Sequence, residues 1–192
     1  MIFFFVRDYQ HKYRFFSTEP VKQIQIKTSR WKEIWEAAKK KLMLLPQRTL
    51  RQEQAFRKIL KSEEKKVHVY YSEQLDNKRI KTKFYFFLQK QRTKHIFLLS
   101  GETLFLPLSG LAGLLPGPNV FFGYLALLMI THWQALRGIN RILKKECEFI
   151  PSSLLKEWEE AHKGRDEERF LRILEKIENE YDLHDVRKIL WK

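Results

Sequence analysis

Residues 113–133 read GLLPGPNVFFGYLALLMITHW, and their interpretation decides the fold of the middle of the chain. Two prolines, two glycines and an asparagine occupy the first seven positions, and an uncharged, aromatic-rich run follows. The surrounding block, Thr103 to Leu136, passes 34 positions without a Lys, Arg, Asp or Glu. Proline removes backbone donors and glycine frees the chain to turn, so one continuous helix through 116–119 is excluded. The block therefore divides into two arms, Ile96–Leu115 with 20 residues and Val120–Leu136 with 17. A helix crossing roughly 30 Å of hydrocarbon needs about 20 residues at 1.5 Å each, so each arm is close to that limit. Both arms are apolar on every face rather than along one stripe, which favours a membrane hairpin over a soluble helical pair.

The flanks set the orientation. Lys78 to Lys94 holds seven basic residues (Lys78, Arg79, Lys81, Lys83, Lys90, Arg92 and Lys94) and no acidic one. On a helix, Ile80, Phe84, Phe87 and Leu88 form one apolar stripe beside these charges, the pattern of an interfacial segment on an anionic lipid surface. Arg137, Arg141, Lys144 and Lys145 follow the second arm. Basic flanks prefer the cytoplasmic or matrix side, so both outer ends lie on one side and the turn on the other, or inside the bilayer. The charge balance agrees. Residues 151–192 carry 9 basic and 11 acidic side chains, so residues 1–150 hold a net +16 against +14 for the whole chain. Such an excess suits a polyanionic partner, either lipid headgroups or nucleic acid.

The first third is α+β. Ile2–Val6 and Tyr13–Phe16 are β-rich runs separated by a polar break, a β-hairpin, and Gln23–Ile26 alternates briefly. Ser29 starts a helix that places Trp31, Ile34, Trp35, Ala38 and Leu42 on one face and ends at Pro46. Thr49 caps a second helix through Leu60, with Leu50, Phe56, Ile59 and Leu60 inward. Val67, Val69 and Tyr71 alternate in a strand that can pair with the hairpin. In the acidic tail, Ser152 or Ser153 caps a helix to His162. Asp166 then opens another that buries Phe170, Ile173, Leu174, Ile177 and Tyr181, and a short helix follows Asp182. The tail either docks on a partner or folds back on the α+β part. The opening MIFFFVRDYQHKYRFF has no charged n-region and is expected to be structure rather than a signal peptide. The one cysteine, Cys147, excludes an intramolecular disulfide and suits a reducing compartment. No glycine-rich phosphate loop, metal-spaced Cys/His pair or nucleophile motif stands out, so the chain is not expected to be an enzyme, and no cofactor or metal is expected.

The block PLSGLAGLLPGPNVFFGYLALLMITHWQALRG resembles the signature of the mitochondrial potassium–proton exchange-related proteins. It offers Pro116, Pro118 and Asn119, then Phe121, Phe122 and Tyr124, then His132 and Trp133, and a closing Gly138. Val120 and Phe121 stand where the family pattern has a further proline. The resemblance implies a protein held at the mitochondrial inner membrane and facing the matrix, or a bacterial relative on the cytoplasmic face of its membrane, connected with potassium–proton exchange.

Two ionisable residues inside the apolar block are candidates for ion or proton handling. Glu102 is the only acid in the two arms, and intramembrane acids mark ion or proton paths; alternatively it sits at the interface, paired with Lys94 or His95. His132 titrates near neutral pH, or else serves with Trp133 as an interfacial belt residue. The sequence thus predicts an α+β fold organised as 1–75, an α+β domain; 76–95, a basic interfacial helix; 96–143, an apolar hairpin turning at 116–119; and 144–192, a helical tail. Its expected role is that of a membrane-associated subunit or support factor in monovalent cation homeostasis. Its partners would be anionic lipid and, through the tail, a second copy or a membrane protein, with no nucleic acid. The alternative is a soluble basic nucleic-acid-binding protein with a buried hairpin core.

Overall fold

Aromatic residues build a sheet with two buried faces. In the computed structural model, which describes residues 2–7, 12–17, 53, 55–60, 66–111, 120–164 and 167–181, strand β1 (Ile2–Arg7) pairs antiparallel with β2 (Tyr13–Ser17). Phe4 lies opposite Phe16 and Phe5 opposite Phe15. β3 (Lys66–Ser72) joins the other edge of β1 in parallel, and β4 (Glu146–Ser152) extends the sheet in parallel beyond β3. The order is β2-β1-β3-β4. The expected hairpin and the alternation of Val67, Val69 and Tyr71 are therefore present, with all three side chains buried.

Two helices connect β3 to β4. Helix α1 (Asn77–Leu111) is one unbroken element of 35 residues, and α2 (Val120–Lys144) returns beside it. The Asp76 carboxylate accepts from the Arg79 amide at 3.0 Å and caps α1 at its start. Ile80, Phe84 and Leu88 from α1, and Ala135, Ile139 and Ile142 from α2, cover one sheet face together with Phe3, Phe5, Phe15, Val67 and Val69. Ala55, Phe56 and Ile59 of the segment before β3 complete this layer, while Leu60 is half-buried.

The opposite face belongs to the tail. Helices α3 (Ser153–Gly164) and α4 (Glu167–Glu180) bury Leu155, Trp158, Phe170, Ile173, Leu174 and Ile177 against Phe4, Val6 and Phe16. Ser152 Oγ accepts from the Leu155 amide at 3.3 Å and also meets the Tyr181 hydroxyl at 2.9 Å, so the cap and the end of the tail share one oxygen. Each large apolar side chain removed from water here contributes roughly 1.5–3 kcal/mol, which explains why the amphipathic tail folds onto its own sheet.

Four expectations are revised or left without support. The apolar stripe of the basic segment does not face lipid: Ile80, Phe84 and Leu88 face the sheet, while the basic residues are exposed. The 95/96 boundary falls inside α1, so the basic segment and the first arm are one helix. The crossing form of the hairpin finds no support: among the described residues no helix is long and apolar enough to cross a membrane. The described apolar part of α1 after His95, Ile96 to Leu111, extends about 24 Å at 1.5 Å per residue, against roughly 30 Å of hydrocarbon. Finally, 144–192 is not wholly helical, because β4 opens it. The helix expected at 29–45, the strand at 23–26, the turn at 116–119 and the last helix after Asp182 lie outside the described residues.

Candidate functional site at the base of the hairpin

Beyond His95, α1 leaves the sheet. From 96 to 107 none of its side chains is buried, and Ile96, Phe97, Leu104 and Phe105 are exposed. On α2, Phe122, Ile130 and Trp133 are exposed, Leu125 is buried, and regular burial begins at Ala135. The two helices thus form a packed base and a projecting tip, and the junction is where ionisable side chains meet.

His95 Nδ1 and His132 Nδ1 face each other at 3.2 Å. The other nitrogen of His132, Nε2, lies 3.3 Å from Glu102 Oε1. One residue from a third element joins them: Glu53 offers a carboxylate oxygen that, with one nitrogen from each histidine, makes a set lying within 4.8 Å. Glu53 and His95 are buried, and the His132 and Glu102 side chains retain only 12% and 11% exposure. His95 Nε2 and Glu102 Oε2 have no hydrogen-bond partner among the described residues.

Burial decides the charge states. It lowers the His95 pKa to about 4, helped by His132 and Lys94, so this imidazole is neutral near pH 7. Burial also lowers His132, with Lys94 adding to the effect. Glu102 is pushed up to about 7, first by burial and then by the charge of Glu53. Glu53 is raised by burial against the opposing pull of Lys94 and Arg57. Charge separation is disfavoured at every position, so the chain Glu102–His132–His95 is a set of hydrogen-bonding groups that share protons or donate lone pairs.

Packing holds the cluster in register. Gly138 of α2 lies against the backbone of Phe56: a Cβ there would overlap the Phe56 carbonyl group and come within 3.2 Å of Ile59 Cγ2. Arg57 Nε donates to Gln134 Oε1 at 2.7 Å, and an Arg141 guanidinium nitrogen donates to the Leu60 carbonyl at 2.8 Å. These contacts fasten the segment bearing Glu53 to α2.

The structure thus brings the two expected ion-handling residues, Glu102 and His132, into contact. Glu102 meets His132 rather than Lys94 or His95. His95 and Glu53 were not expected in the site, since both lie within heavily charged stretches. Of the signature residues, Trp133 is exposed with Arg137 stacked 4.8 Å over its ring, Tyr124 lies in α2, and Pro116, Pro118 and Asn119 are outside the described residues. The basic residues 78, 79, 81, 83, 90, 92 and 94 are exposed, as are Arg137 and Arg141, but Lys83 lies over the Phe5 and Tyr13 rings and Arg141 holds Leu60.

Fold and site together define an α+β protein with two long helices packed side by side and a buried histidine–carboxylate cluster between them. The chain belongs to the mitochondrial K+-H+ exchange-related family, whose model matches residues 8–145. No curated protein and no solved structure matches it.

Proposed function

We propose that this protein works in potassium–proton exchange as a membrane-associated subunit or support factor rather than as an enzyme, with its hairpin tip set into one leaflet of an anionic bilayer. The observation that carries this reading is a basic collar beneath an apolar tip. The His95–His132 contact sets the register of the two helices, so Lys90, Arg92 and Lys94 of α1 lie level with Arg137 of α2. Past that level Phe97, Leu104 and Phe105 are exposed at 78%, 73% and 54%, far more apolar surface than isolated surface residues present. Rings and leucines at the headgroup–acyl boundary gain burial, while each basic residue near an anionic surface contributes about 1 kcal/mol. In this reading the tip enters one leaflet and returns on the same side. The family name points to mitochondrial association, and the surface of this reading is the matrix face of the inner membrane. A nucleic-acid role is not favoured, because it would leave the tip exposed to water.

Vesicle flotation tests this. The full chain should float with anionic vesicles, less with zwitterionic ones, and should resist release by high salt. Replacing Phe97 and Phe105 by Glu should abolish flotation without altering the circular dichroism. A wild-type chain that stays monodisperse without detergent and does not float would refute the reading. Potassium-dependent proton flux in reconstituted vesicles, with and without the protein, then tests the link to exchange.

A further inference from the structure

We propose that Glu53, His95 and His132 form a binding site for a divalent transition-metal ion, with Zn2+ the best fit, and that Glu102 orients His132 from behind. The geometry is that of a metal centre. Two ligands held 2.0–2.1 Å from a tetrahedral ion are about 3.3–3.4 Å apart. The two Nδ1 atoms already stand 3.2 Å apart, so an ion fits between them with little movement. Glu53 supplies the third donor from within 4.8 Å, and a carboxylate rotation closes the set. The far nitrogen of His132 meets the Glu102 carboxylate at 3.3 Å, the arrangement by which metal-bound imidazoles are held in one tautomer.

Burial and charge agree with this assignment. His95 is fully buried, so its Nδ1 is held where bulk water does not compete for an ion. Two neutral imidazoles with two carboxylates balance a dication and leave no net charge in the junction. Nitrogen donors select zinc or its transition-metal neighbours over hard cations such as Mg2+ and Ca2+, which take oxygen. The three ligands come from the segment before β3, from α1 and from α2, so a bound ion would tie these elements together where the tip begins. The inference does not depend on the proposed membrane role.

Titration of chelator-treated full-length protein with Zn2+ against a chromophoric competitor tests the site. One ion per chain is expected. His95→Gln and His132→Gln should each weaken binding by more than about 100-fold, and Glu102→Gln by roughly 10–100-fold, as for outer-shell partners elsewhere. Circular dichroism identifies the variants that fold. Because a buried-histidine variant can fail to fold, the wild type carries its own test. X-ray absorption of the 1:1 zinc complex should show two imidazoles, with nitrogen and oxygen donors at about 2.0–2.1 Å. Absence of stoichiometric binding, a first shell without imidazole, or undiminished affinity in folded His95→Gln would each overturn the proposal.

Discussion

Replacing Gly138 by alanine isolates the packing at the root of the hairpin. The added Cβ would run into the Phe56 carbonyl group, 2.6 Å from its carbon, and meet Ile59 Cγ2 at 3.2 Å. A backbone obstacle cannot rotate aside, so either α2 or the segment bearing Phe56 has to move. Helix propensity alone favours alanine by about 0.5–1 kcal/mol. Overpacking costs about 1–3 kcal/mol, and displacing the segment weakens the Arg57–Gln134 and Arg141–Leu60 bonds at about 1 kcal/mol each. The expected net effect is a destabilisation of about 2–3 kcal/mol. Urea denaturation followed by far-UV circular dichroism should show a lower midpoint with an unchanged slope. Gly101→Ala and Gly123→Ala are built-in controls, since a Cβ at either meets nothing within 4 Å. Both should stabilise by about 0.5–1 kcal/mol. A midpoint for Gly138→Ala that moves in the same direction as theirs would refute the argument.

The cluster titrates in a defined direction in metal-free protein. His95, at about 4 when folded against 6.5 ordinarily, contributes stability above pH 6.5 that is lost as pH falls toward 4. Nitrogen-15 spectra should therefore show its imidazole still neutral at pH 5.5. Glu102, at about 7 against 4.5, works the other way, its contribution being present below pH 4.5 and lost as pH rises through 7. The midpoint of Glu102→Gln relative to wild type should accordingly rise between pH 4.5 and 7, and a constant difference would contradict this. On the other sheet face, Trp158→Ala removes a fully buried ring packed at a tilt against Phe170 and should cost about 3–5 kcal/mol by urea titration. Ser152→Ala deletes the α3 cap and the partner of Tyr181, so a loss of about 1–2 kcal/mol is expected in the same assay.

Local pattern made much of the fold legible. The aromatic runs of β1 and β2, the alternation of β3 and the apolar stripes of the tail helices each name one buried face, and each is buried where its period says. What covers a face is a non-local matter. The stripe Ile80–Phe84–Leu88 has the form of a lipid-facing helix, yet a sheet assembled from residues far away in the chain lies against it. Strand β4 was missed because its seven residues carry two glutamates and a proline, although Cys147 and Phe149 alternate with Glu146 and Glu148. Its pairing partner, β3, begins at Lys66, so no nearby residue announces the match. In the site, Glu102 and His132 stood out because an apolar block makes any ionisable group conspicuous. His95 and Glu53 lacked that contrast: each follows or precedes lysines and arginines, and only the crossing of three elements singles them out.

Helix α1 passes from the packed base to the tip as one element, and its only proline within the helix, Pro107, lies beyond Glu102. There is consequently no joint between the tip and the sheet on that side. Because both ends of the helical pair are anchored to adjacent strands of one ladder, a sideways load on the tip is delivered as shear between β3 and β4, with the histidine pair at the fulcrum. In mechanical terms the hairpin is a stiff lever rather than a tethered probe, and what the tip encounters is registered at His95 and His132.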